Sequence, residues 1–318
     1  MRKLKYFIVI LLIGWVLAWH QYRGWLYQDG HLDEVVNVLI PAGATTKIVA
    51  ENLYQNGVIS SPLLFRLVVK LHDAEKQLKA GEYQFMPKVS LMQVMEKIAR
   101  GEVFYRKITI PEGLSSEQIM YLVSQYEGLS GEVSLEIKEG ELLPETYSFE
   151  LNAPRDSILL QAKNSMEKIR KVIWENRDAN LPYKDINDMV TMASIIEKET
   201  SVPEERALVA SVFVNRLKRR MRLQTDPTVI YALTEGQFEL KRALRKSDLN
   251  IESPYNTYRN YGLPPKPICN PGIAAMEAAA HPAESDYLYF VASGEGGHNF
   301  ANSLREHNRN VRLWQKKR

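Results

Sequence analysis

A single cysteine, Cys269, stands in the whole 318-residue chain. One thiol allows neither an intramolecular disulfide nor a cysteine-built metal site, so stability in an oxidising compartment must come from packing alone. Set among prolines in PPKPICNPG, Cys269 reads as a small buried apolar residue. Histidine is no better placed for metal chemistry: His281, His298 and His307 are scattered and no H-E-x-x-H occurs, so a zinc hydrolase is excluded and neither metal nor cofactor is expected. The absence of G-x-S-x-G removes a serine hydrolase, and no P-loop or dinucleotide fingerprint is present. Charge of one sign is lacking too. A net charge of +3, dispersed and without an aromatic-and-arginine signature, argues against a nucleic-acid partner.

What is present suits a globular protein of about two domains, with 45% hydrophobic and 25% charged residues. The amino end is set apart. Met1–Lys5 is basic and Tyr6–Trp19 (YFIVILLIGWVLAW) is unbroken apolar sequence, followed by Tyr22 and Trp25. That run is shorter than the roughly 20 residues that span a bilayer comfortably, so a cleaved signal peptide competes with an anchor. The anchor is favoured, because no small-x-small cleavage site follows and aromatic residues belong at the membrane interface. Residues 1–5 would then be a cytoplasmic tail, residues 6–25 a single transmembrane helix, and the remainder would lie outside the inner membrane.

One pattern then appears three times. VNVLIP, YQFMP and KITIP are strand-like runs closed by Pro41, Pro87 and Pro111; Thr45, Ser90 and Ser115 follow as helix caps, each before an amphipathic stretch ending near a glycine. A further helical pattern, Pro62–His72, lies between the first two, so Val36–Phe85 reads strand, helix, helix, strand. That order resembles a LysM-like module, with a bare spacer as the alternative. A module over residues 33–104 and a larger domain over 105–318 make the fold class α+β. In the larger domain a long helix is expected over Asp156–Trp174, capped by Asp156 or Ser157.

The second domain is organised around NDMVTMASIIEKETSVPEERALVASVFVN. Met189, Met192, Ala193, Ile195 and Ile196 recur at helical spacing and predict a buried face. Glu199 leans on that face, three and four residues after Ile196 and Ile195, whereas Glu197 looks back on its far edge. Ser201-Val202-Pro203-Glu204 reads as a capping box opening the next helix, which leaves Glu199 in a last turn. Apolar neighbours and unpaired helix carbonyls both disfavour its anion. A carboxylic acid still protonated near neutral pH is what a glycosidic oxygen needs as its bond breaks. The bland alternative is a solvated glutamate at a helix end. Further on, Gln224, Thr225 and Asp226 precede a proline-initiated helix and read either as simple caps or as cleft groups. Tyr255–Tyr258 (YNTY) and GLPPKPICNPG make a rigid polar segment too long and aperiodic for core, and aromatic faces beside amides are what sugar rings bind. Two carboxylates, Glu199 and Asp226, or one acid alone, remain open as the chemistry.

Taken together, MASIIEKET, RLQTDPTVIY, YNTY, GLPPKPICNPG, YLYFVA and GGHNF resemble the YceG-like family of membrane-anchored endolytic murein transglycosylases, in the same order and over nearly the whole chain. The resemblance implies cleavage of the β-1,4 bond between N-acetylmuramic acid and N-acetylglucosamine in nascent peptidoglycan, leaving 1,6-anhydro ends and terminating strand elongation. It implies one glutamate acting first as acid and then as base, a role that EKET places on Glu199, with Glu197 the competing assignment. Gln224, Asp226, Asn256, Tyr258, Asn270 and His298 become expected substrate-binding residues. Peptidoglycan strands, the inner membrane and penicillin-binding synthases become the expected partners, with the catalytic domain periplasmic. A non-catalytic scaffold and a hydrolytic muramidase are the alternatives.

Overall fold

The computed structural model describes residues 2–317, with side chains described from Leu12 onward apart from positions 18 and 317. Its chain divides into two units, Met1–Arg106 with Ser148–Leu151 and Lys107–Tyr147 with Asn152–Arg318. The first opens on helix α1 (Arg2–Leu26). Leu12, Ile13, Trp15, Val16 and Leu17 are exposed on most sides of it, whereas Tyr22 and Leu26 at its end enter the core of the unit. Among the described residues no helix is long and apolar enough to cross a membrane; much of the expected anchor, residues 6–25, falls on side chains outside that description.

Strand β1 (Val36–Ile40), helices α2 (Thr46–Gln55) and α3 (Pro62–Leu71), strand β2 (Gly81–Phe85) and helix α4 (Leu91–Arg100) complete the first unit. The two strands pair antiparallel, Val36 opposite Phe85 and Ile40 opposite Gly81. Val38 and Ile40 turn inward together, as the two-residue period of a strand requires, and meet Phe65, Val68, Tyr83, Phe85 and Ile98 in one apolar cluster. The expected caps form: Thr45 accepts from Ile48 N, and Ser90 exchanges both bonds of a capping box with Gln93, each worth about 1 kcal/mol to its helix. Gly101 closes α4 at φ 73°, where any side chain would strain the backbone. Glu82, buried in β2, is matched by the Arg106 fork through two bonds of 2.9 Å, the pairing that a buried carboxylate demands.

Strands β3 (Arg106–Thr109) and β5 (Thr146–Phe149) pair as a two-stranded ribbon. Helix α5 (Ser116–Gln125), capped by a Ser115–Gln118 box, and the short parallel strands β4 (Leu129–Ser130) and β6 (Ala153–Pro154) lead to helix α6 (Arg155–Asn176). Its expected cap differs. Pro154 occupies the cap position, Ser157 bonds back to Pro154 O, and Asp156 accepts from Ser134 N at 3.0 Å.

Helices α7 (Ile186–Glu199), α8 (Arg206–Lys218), α9 (Asp226–Thr234) and α10 (Ile273–Ala280) follow, then a hairpin of β7 (Tyr289–Ala292) and β8 (His298–Ala301) and a last helix α11 (Leu304–Lys317). Asp185 starts α7 by accepting from Asn187 N and Asp188 N. Helices α6, α8, α9 and α10 all contact it, and the alanines of α10 allow a close approach to Ala193. Met189, Met192, Ile195 and Ile196 are fully buried, each burial contributing about 1.5–3 kcal/mol. The proline-rich segment departs from expectation. Its second half enters the core, where Ile268 N donates to the buried Ser194 Oγ at 3.0 Å and Cys269 is buried, because a backbone bonded to α7 needs no apolar periodicity to be held inside.

Candidate active site

Helix α7 stops where Thr200 turns extended, and Pro203 begins a short 3-10 turn, Pro203–Glu205, that leads into α8. The capping box expected at Ser201 does not form; Thr200 Oγ1 accepts from Val202 N instead. This break leaves two carboxyl groups on different flanks of the same last turn. Glu197 is not at a solvated edge. Its Oε2 accepts from Gly272 N at 3.0 Å, and Arg206 lies 3.8 Å from both Glu197 and Glu112. A Cβ at Gly272 would stand 1.7 Å from Glu112 Oε1, so a larger residue there would push the Glu112 carboxyl aside. Burial raises the proton affinity of Glu197, partly offset by the Gly272 amide.

Glu199 lies on the other flank and accepts a hydrogen bond from the buried Thr225 hydroxyl. Its pKa is raised to about 6: burial is the largest cause, the Thr225 bond opposes it, nearby Asp226 adds to it, and His298 and Arg216 pull the other way. Thr225 stands at the cap position of α9 but makes no cap bond, so the simple capping reading does not hold for its hydroxyl. A cluster of threonines sets it in place. Thr225 N donates to Thr257 Oγ1, Thr257 and Thr228 share a 2.8 Å bond, and Thr228 donates to Thr225 O.

Glu199 opens on a pocket of about 380 Å³ that also receives Gln224, Asp226 and Tyr258. Tyr258 donates its hydroxyl to Asp226 Oδ1 at 2.6 Å, and burial with that partner raises the Tyr258 pKa. Gln224 holds φ at 50°, a left-handed conformation uncommon for a side chain with Cβ, while its N–H donates to Thr257 O. The far wall holds groups that were not expected. Arg216 is buried, with Nε bound to Leu288 O at 2.7 Å and Nη1 to Leu223 O at 2.6 Å, and its guanidinium carbon lies 5.2 Å from the Tyr289 ring centre. His307 stacks on that ring, and burial followed by Arg216 lowers its pKa. A signal for Arg216 existed in the sequence: it follows Val209, Val212 and Phe213 at helical spacing, a cation placed on an apolar face.

Three expected residues do not line this pocket. Asn256 is fully buried, donating to Leu249 O and Ile251 O and accepting from Tyr258 N, so it shapes the loop that carries Tyr258. Asn270 is also fully buried and clamps backbone, accepting from Leu142 N and donating to Leu114 O. His298 is held by Glu205, whose Oε1 accepts from His298 N at 2.8 Å and whose Oε2 meets Nδ1 at 2.6 Å. Two larger openings, about 520 Å³ in the first unit and about 530 Å³ in the second, contain none of the expected site residues. Among the described residues no three histidine, cysteine, aspartate or glutamate side chains gather as a metal site. Chemically, the arrangement offers a carboxyl that keeps its proton toward neutrality, beside an ordered carboxylate and phenol pair able to orient a hydroxylated ligand.

The model of the YceG-like family matches residues 38–313. A Bacillus subtilis protein named endolytic murein transglycosylase is 34% identical over 312 residues, covering 86% of this chain and 83% of its own length. A Streptococcus pneumoniae protein of the same name is 31% identical over 330 residues, covering 89% of this chain and 59% of its own. A crystal structure described as a putative yceG-like protein from Listeria monocytogenes aligns with a TM-score of 0.55 at 33% identity, over 87% of this chain and 98% of that one.

Proposed function

The chain belongs to the YceG-like family, and from that membership we propose that Glu199 carries both proton transfers of its reaction. The protein is an endolytic murein transglycosylase, a lytic enzyme acting on peptidoglycan strands. Protonated Glu199 gives its proton to the oxygen between C1 of N-acetylmuramic acid and C4 of N-acetylglucosamine as the C1–O bond breaks. The resulting carboxylate takes the proton of the C6 hydroxyl while O6 closes on C1. The proton lent is recovered, no water enters, and the strand ends in a 1,6-anhydro sugar.

One observation carries this reading: of the two acids on the last turn of α7, Glu199 combines a pKa near 6 with an opening on the pocket of Asp226 and Tyr258. An acid that must also serve as a base works best when its pKa lies close to the working pH. Gln224, Asp226 and Tyr258 hold the sugar, Asn256 supports Tyr258 from behind, and Asn270 and His298 act through the loops and side chains they bond. Residues 33–104 serve as a LysM-like glycan-binding module, supported by the strand, helix, helix, strand order of β1, α2, α3 and β2. Residues 6–25 anchor the chain once in the inner membrane, with residues 1–5 cytoplasmic and the catalytic domain of residues 105–318 periplasmic; the exposed apolar surface of α1 supports this. There the enzyme ends strands made by penicillin-binding synthases.

Mass spectrometry of uncrosslinked glycan strands tests the chemistry, with wild type beside Glu199→Gln. Muramoyl ends lighter by one water, formed by wild type alone, are expected. Hydrated ends would identify a muramidase, and strands bound but uncut by folded wild type would identify a scaffold.

A further inference from the structure

Helix α3 carries an apolar stripe left open within the first unit. Leu63, Leu67 and Leu71 recur every four residues and are 73%, 51% and 60% exposed, while Phe65, Val68 and Val69 on the opposite side fill the core. Arg66 and Lys70 each follow a stripe leucine by three residues, so both exposed cations border the stripe, and α3 contains no carboxylate. Single exposed leucines are ordinary, but three in register on one helix mark an interaction surface. Leucines edged by cations are the composition of a helix lying in a bilayer interface, with the apolar side chains at the acyl boundary and the cations among phosphates.

The position of α3 agrees with that partner. Trp25, in the last turn of α1, lines a cavity of about 170 Å³ together with Ser60, Ser61 and Leu64, so α3 starts beside the point where α1 ends. Tyr22 and Leu26 are packed into the same core as Phe65, so the unit is seated on the end of α1 rather than joined by a loose tether. Trp15, Trp19 and Tyr22 form a series of ring contacts along α1 toward that seat, the residue types that collect where hydrocarbon meets headgroups.

We propose that α3 docks on the bilayer surface, its leucine stripe at the acyl boundary and Arg66 and Lys70 on the phosphates of anionic phospholipids. The docking fixes the orientation of the first unit at the membrane. It rests on the reading of residues 6–25 as an anchor, which brings α3 to the surface.

The test places a fluorophore at Leu67→Cys in the full chain, Cys269 being buried, and reconstitutes the protein in nanodiscs of phosphatidylcholine or of phosphatidylcholine with phosphatidylglycerol. Blue-shifted emission quenched by doxyl lipids, stronger in the anionic discs, is expected. In Arg66→Glu/Lys70→Glu the quenching should fall at least tenfold toward the solvent value, since each basic residue near an anionic surface contributes on the order of a few-fold in binding. Emission that stays solvent-like in both discs overturns the proposal. So does a shift that persists in detergent and grows with protein concentration, which would mean a second copy covers the stripe, and so does a shift that appears only when soluble glycan strands are added. An alkaline carbonate wash of liposomes reports the anchor separately: protein released by the wash refutes the anchor, whereas retained protein with a solvent-like label refutes the docking alone.

Discussion

The last turn of α7 places two glutamates two residues apart, and its flanks treat them differently. Both carboxyl groups have raised pKa values with burial as the largest cause. On the Glu197 flank the chain supplies an amide from Gly272 and a cation from Arg206, and Glu197 is absent from the pocket wall. On the Glu199 flank it supplies one hydroxyl, from Thr225, and leaves the carboxyl beside an opening of about 380 Å³. Burial alone therefore does not distinguish the acid proposed to work from its neighbour. What distinguishes the two flanks is access: Glu199 stands beside an opening large enough for a ligand, whereas Glu197 is closed in by Gly272 and Arg206.

The sharpest way to break that comparison is to remove each acid in turn. Glu199→Gln should lower the rate of strand cleavage by about 10²–10⁴, the usual contribution of a positioned general acid. Glu197→Gln should keep activity within about tenfold, because an amide oxygen can still accept from Gly272 N. A reversed order, measured by anhydro-end formation, would move the chemistry to the other flank. Asp226→Asn comes next. Its expected loss is about ten- to a hundredfold, through a sugar held less well once the Tyr258 hydroxyl faces an amide. A loss equal to that of Glu199→Gln would instead make the pair a two-carboxylate site.

A third prediction uses stability. Glu199 binds its proton more tightly in the fold than its ordinary value of 4.5 allows, at about 6, so the folded state is favoured at low pH and loses that advantage as pH rises through 6. The interval is worth about 2 kcal/mol at 1.36 kcal/mol per pH unit. Glu199→Gln removes the charge that burial disfavours. Relative to wild type it should gain about 2 kcal/mol at pH 8 and nothing comparable at pH 4, read by urea denaturation at the two values. Equal effects at both would show that the carboxyl is not held at raised pKa.

How much of this was legible beforehand follows from how far apart the interacting residues lie in sequence. The caps at Thr45, Ser90 and Ser115, the apolar face of α7 and its end at Glu199 are local patterns, and they stand as expected. The Glu197 partner was not legible, because Gly272 lies 75 residues away and nothing near Glu197 announces it. Asn256 and Asn270 look like cleft residues in their polar segments, yet the Asn256 amide is taken up by backbone groups and the Asn270 amide by Leu142 N, Leu114 O and Ser116 Oγ, a use that only the folded loops define. Arg216 was the residue most open to discovery. It breaks the apolar face of α8, and a cation in such a place needs partners, which Leu288 and Leu223 provide as carbonyls.

The smallest test sharpens the comparison at the hydroxyl that only the Glu199 flank supplies. Thr225 donates to Glu199 Oε1, and this bond is the largest influence opposing burial. A donor to a carboxylate favours the charged form, so Thr225→Val, nearly equal in size, should push the Glu199 pKa further up. A hydrogen bond to a charged group is worth about 1.5 kcal/mol or more, which corresponds to a shift of about one pH unit. The descending limb of kcat/KM, expected near pH 6 for wild type, should therefore move toward higher pH in the variant, since the acid keeps its proton longer. Below pH 5, where both proteins hold the proton, their rates should converge to within a few-fold, the remaining difference reflecting a carboxyl no longer fixed in direction. A limb that stays in place would mean that a group other than Glu199 governs it, and the asymmetry between the two flanks would then lie in shape rather than in proton affinity.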